Sequence, residues 1–107
     1  MKDLLSQISA YSLKQAYHEA LKDVFGFLPI TQRLERAYEI LVRSSEYEIL
    51  ELEGEPYSFL IVGPNGRYTV DVVNQTCSCP DSETLCKHRW SVKLILRALQ
   101  IQQKNKE

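Results

Sequence analysis

Apolar positions along this chain change their period twice. From residue 1 to about 26 they recur at helical spacing. Leu4, Leu5 and Ile8 form a short stripe, and Leu13, Ala16, Tyr17, Ala20, Leu21 and Val24 a longer one. Ser12 followed by Gln15 fits a capping box and predicts a break between the two stripes. Gly26 suits the end of that helix and Pro29 the turn beyond it. A second helix is predicted from about Thr31, its N-cap, to Ser44, with Leu34, Ala37, Tyr38 and Leu41 as its buried stripe.

The period then shortens. Residues 47 to 52, 57 to 62 and 68 to 73 are rich in β-branched and aromatic side chains and are separated by turn residues. Glu53-Gly54-Glu55-Pro56 is the first turn. Gly63-Pro64-Asn65-Gly66 is the second, with Asn-Gly tolerating the positive φ of a tight hairpin. These segments predict a three-stranded antiparallel meander. In its third strand Tyr68, Val70 and Val72 share one face, and Arg67, Thr69 and Asp71 the other. Tyr47, Tyr57, Phe59 and Tyr68 sit at alternating positions that predict core rather than a base-stacking platform. A last helix is predicted from about Cys86 to Gln103.

With 107 residues, 44% hydrophobic and 25% charged, the composition is that of a globular protein of one domain's size, whose modest core would profit from an added staple. No stretch approaches the roughly 20 apolar residues of a membrane span, and the first residues lack the apolar core of a signal peptide. No paired carboxylates, nucleophile elbow or phosphate-binding glycine loop is visible, so neither an enzyme nor a small-molecule substrate is expected.

The cysteines change this picture. All three lie between residues 77 and 86, an odd, clustered set unlike a secreted disulfide framework; it points to a reducing, intracellular setting and a metal. Cys77-Ser78-Cys79, then six residues, then Cys86-Lys87-His88 offers four zinc-type ligands within twelve residues. The first pair follows the third strand and would form a knuckle. The second opens a helix, where free N–H groups and the positive helix end favour thiolate. A disulfide would strand one thiol and leave His88 unexplained. A catalytic cysteine would need a base, and the one other histidine, His18, is distant and reads as an ordinary helix-surface residue. Four protein ligands leave no open coordination position, which favours structural over catalytic zinc. The predicted fold is therefore α+β: N-terminal helices, the meander, the CxC knuckle and the C-terminal helix, joined by one structural zinc.

The spacing CxC, a short loop, then CxH resembles the SWIM zinc finger. The hairpin strand Tyr68 to Val72, Pro80-Asp81 after CxC, and the apolar helix Trp90 to Leu99 are similar to that family's surroundings, as are the helical Arg33 to Ala37 segment and the Tyr47 to Leu52 strand. The resemblance covers roughly residues 31 to 101. It implies a helical extension over residues 1–30 and a SWIM domain over 31–107. It implies zinc binding, and, since such fingers occur in remodelling-type ATPases, Mutator-type transposases and recombination factors, an accessory role in binding DNA or protein.

Two partners are weighed. Arg89, Lys93, Arg97, Gln100 and Lys104 recur along one face of the last helix, with Lys87 beside the metal, so Lys87, Arg89, Lys93 and Arg97 are candidate nucleic-acid contacts. The opposing reading is a solvated face whose lysines complement the helix dipole. A net charge of −1 does not announce a polyanion binder, and Glu46, Glu48, Glu51, Glu53 and Glu55 would repel one if they faced the same way. The alternative is a protein-interaction adaptor or homodimer. It would use the N-terminal helices and the wide apolar arc of the last helix, Trp90, Val92, Leu94, Ile95, Leu96, Ala98, Leu99 and Ile101.

Overall fold

The structure is a computed structural model that describes residues 3–24, 26–43, 46–52, 54, 57–64, 66–79 and 86–105. The first predicted turn, Glu53, Glu55, Asn65 and Pro80-Asp81 lie wholly or largely outside the described residues.

The N-terminal stripe splits earlier than its sequence suggests. Leu4–Gln7 form a 3₁₀ turn, and α1 spans Ala10–Asp23. Ser9, not Ser12, is the N-cap: its hydroxyl oxygen accepts from the Ser12 N–H at 3.1 Å. Ser12 is buried one turn inside, so its capping-box pattern is a coincidence of spacing. Gln102 Oε1 accepts from the Ser9 N–H at 2.6 Å, and Gln102 Nε2 donates to the Gln7 carbonyl at 3.0 Å, tying the start of α1 to the last helix. Ser9→Ala is expected to destabilise the chain by about 1 kcal/mol, the usual worth of such a cap. In a thermal melt that is a fall of roughly 4 °C or more.

α2 spans Leu28–Val42 and starts three residues before the predicted Thr31 cap. Pro29 sits in its first turn, where the missing N–H costs nothing. Thr31 Oγ1 donates back to the Phe27 carbonyl at 3.0 Å instead of capping. The expected boundary at residue 30 falls within this first turn, and Leu4, Leu5, Leu13, Ala16 and Ala20 share one core with the sheet.

The strands are β1 Glu48–Glu51, β2 Ser58–Gly63 and β3 Gly66–Asp71, the predicted meander, plus a short β4 at Thr76–Cys77. All are antiparallel in the order β1-β2-β3-β4. Gly63 pairs with Gly66, the two ends of the predicted second turn. Gly63 lies close under Tyr47: a Cβ there would stand 2.5 Å from the ring, which would have to shift. The turn from β3 to β4 is held by Asp71, whose carboxylate accepts from the Asn74 backbone and side-chain N–H groups at 3.0 and 2.8 Å. These bonds lower the Asp71 pKa.

Opposite residues in antiparallel strands share a face, so Ile49, Ile61 and Tyr68 form one row, and Phe59, Val70 and Cys77 the next. This face meets the helices. Ile49, Phe59, Ile61 and Val70 are buried, whereas Tyr57, expected in the core, is 58% exposed. α3, Lys87–Asn105, packs along both α1 and α2 and against β3 and β4. Its apolar arc is thereby consumed: Trp90, Val92, Leu94, Ile95 and Ala98 are buried, and Leu96, Leu99 and Ile101 are partly buried against the same core. Among the described residues no helix is long and apolar enough to cross a membrane.

Candidate metal centre and the cleft beside it

Strand pairing delivers the first two ligands. Cys77 sits in β4 opposite Val70, on the core face of the sheet. The intervening Ser78 continues the ladder twice over: its N–H donates to the Thr69 carbonyl at 3.0 Å, and its hydroxyl accepts from the Thr69 N–H at 2.9 Å. The knuckle is thus pinned immediately before Cys79, which is buried. Helix formation delivers the other two. The Cys86 carbonyl accepts the N–H of Trp90 at 3.0 Å, placing Cys86 at the start of α3, with His88 inside its first turn.

The three sulfurs and the histidine's ligating nitrogen all lie within 4.8 Å of one another. A tetrahedral ion with the usual zinc bond lengths, about 2.0–2.3 Å, sets its ligands roughly 3.5–3.8 Å apart, a small inward movement from here. Two observations support a metal at this point. The Nδ1 of His88 is buried without a hydrogen-bond partner, a costly state that coordination would relieve. The cysteines are free thiols in close contact and not disulfide-bonded. Cys86 ionises more readily than Cys77, its pKa pulled well down. Its sulfur accepts from the Cys77 thiol, which outweighs burial, and His88 and the Arg89 backbone N–H add to this. The Cys77 thiol is pushed up by the same shared proton and by burial. The donor set fits one structural zinc ion.

Tyr68 on β3 stacks against the His88 ring, with centroids 4.3 Å apart and planes 26° off parallel. That contact orients the imidazole, a role that alternation along the strand could not reveal. Around this pair opens a cleft of about 290 Å³, lined by Arg33, Arg36, Tyr68, Cys79, Cys86, Lys87 and His88. Among the described residues, neither the Arg36 nor the Lys87 side chain is paired with a carboxylate.

The candidate nucleic-acid contacts are therefore dispersed. Lys87 lines the cleft. Arg89 is half-buried. Lys93 lies over the Trp90 ring, its ammonium 5.4 Å from the centroid. Arg97 points to α1 and pairs with Asp23 at 3.3 Å. Arg33 and Arg36 were missed. Their i, i+3 spacing on α2 was the available signal, but nothing local said that this face meets the metal. His18 is exposed, as expected.

Among the described residues, charge is segregated on a larger scale too. Glu35 and Glu39 of α2 lie toward Tyr17 on α1, whose phenol is pushed up by burial first and then by these carboxylates. Exposed Glu46, Glu48 and Glu51 lie on or beside β1, the sheet edge opposite β4 and roughly 14 Å from it at ordinary strand spacing.

Residues 64–96 match the family model of the SWIM zinc finger, a span that contains all four ligands. No curated protein and no solved structure matches the chain.

Proposed function

We infer, for a chain whose residues 64–96 form a SWIM zinc finger, that it is a non-catalytic accessory module which binds nucleic acid through the basic cleft beside the metal. The observation that carries this reading is the convergence of Arg33, Arg36 and Lys87 around the Cys₃His cluster, with Glu46, Glu48 and Glu51 kept to the far side of the sheet. A bipolar molecule can attract a polyanion locally despite a net charge of −1. Zinc positions the cleft, because Lys87 stands between two ligands. Arginine supplies a planar fork of donors suited to phosphate. The adaptor reading loses its main surface, since the apolar arc of α3 is covered by α1 and α2.

The test is fluorescence anisotropy of the zinc-loaded full chain with a labelled oligonucleotide across a salt series. Two phosphate contacts, by Arg36 and Lys87, predict a log–log salt slope of about −1.4 to −1.8. Arg36→Glu and Lys87→Glu should each weaken binding and flatten that slope by about one. Absence of binding at low salt, or charge reversals without effect, would reject the proposal.

A further inference from the structure

The shape of the cleft says more than its charge. A module that reads duplex DNA puts a protruding helix or ribbon into a major groove about 12 Å wide. Here α3 lies against α1, α2 and the sheet, and its exposed stripe, Lys93, Gln100 and Lys104, does not line the cleft. The cations instead line a hollow whose wall includes the buried ligands Cys79, Cys86 and His88. At about 290 Å³, the space beside the metal ligands included, it stands at the lower end of small-ligand sites, roughly 300 Å³. That suits one nucleotide unit and not a helical turn. One wall is aromatic: Tyr68 is half-buried, backed by His88, and reaches the same space as Arg36 and Lys87. A duplex keeps its bases stacked inside, so it could reach the rim but not fill the hollow. A single strand can turn a nucleotide inward, where an aromatic wall accepts any base or sugar face without reading its identity.

We propose that this cleft takes one nucleotide of a single-stranded nucleic acid, the phosphate on Arg36 and Lys87 and the base or sugar against Tyr68. This rests on the nucleic-acid reading above and narrows it to strand form. Lys93 and Arg97 of α3 have no part in it.

The experiment compares a labelled 12-nucleotide oligothymidine with a duplex of equal length, at one salt concentration, using the zinc-loaded full chain. The single strand should bind at least about tenfold more tightly. Tyr68→Leu should weaken single-strand binding by roughly 5- to 100-fold, the usual range for a lost stacking contact. Duplex affinity should stay as in the parent, zinc content is measured on the same samples, and Tyr68→Phe should retain tight binding. Equal affinity for both forms with an indifferent Tyr68→Leu would overturn the inference while leaving the electrostatic reading intact. Failure of both oligonucleotides to bind would remove both. If Tyr68→Leu loses zinc, Arg36→Glu decides: loss of the single-strand preference supports the cleft, and an unchanged preference refutes it.

Discussion

Cys86→Ser is expected to strip the chain of zinc and lower its thermal midpoint by at least roughly 15 °C. Structural zinc contributes on the order of 10 kcal/mol in small sites, against a total stability of about 5–15 kcal/mol for a typical domain. Cys86 has a leverage the other sulfurs lack. It begins α3, is 1% exposed, and bridges in space to Cys77 on β4. Losing the metal there detaches the knuckle from the helix and leaves His88 Nδ1 buried without a partner. The chain should not collapse entirely, because α1, α2 and the meander keep an apolar core reaching from Leu4 to Val70. Circular dichroism melts of parent, chelated parent and variant, with zinc measured on the same samples, check this. A chelated, zinc-free parent that melts at the original temperature would contradict it.

Ile95→Ala is expected to cost about 2–5 kcal/mol through the cavity it leaves. Ile95 is fully buried at the middle of α3, in the cluster that joins α1, α2 and the sheet. No element can close over the gap without moving the helix that carries the cleft and His88. Leu99→Ala, at a partly buried position one turn on, should cost distinctly less. Urea denaturation of the zinc-loaded proteins measures both. Equal costs at the two positions would show that the helical layer repacks freely.

The metal site and the cleft were legible to different degrees. Four ligands within twelve residues belong to one strand end and one helix start, so local spacing sufficed to find them. Cap positions read less well. Ser9 and Ser12 are both good capping residues, and the choice between them follows from the packing of Ser12 against the core. β4 was invisible because two residues carry no period; it exists because Ser78 and Cys77 pair with β3. Tyr68 was assigned to the core on alternation alone. It does point to the core face, yet its neighbour there is a metal ligand.

By itself the sequence determined the α+β class, the three-strand meander, the amphipathic helices and the identity of the zinc ligands, since these depend on residue type and on spacings within one or two elements. Only the tertiary structure decided that Arg33 and Arg36 stand beside Lys87, that Arg97 pairs with Asp23, that acidic β1 lies across the sheet from the metal, and that the apolar arc of α3 is already covered. Each of these joins residues far apart in the chain. Such pairings are fixed by how helices and strands pack on a shared core, and no local period encodes that geometry.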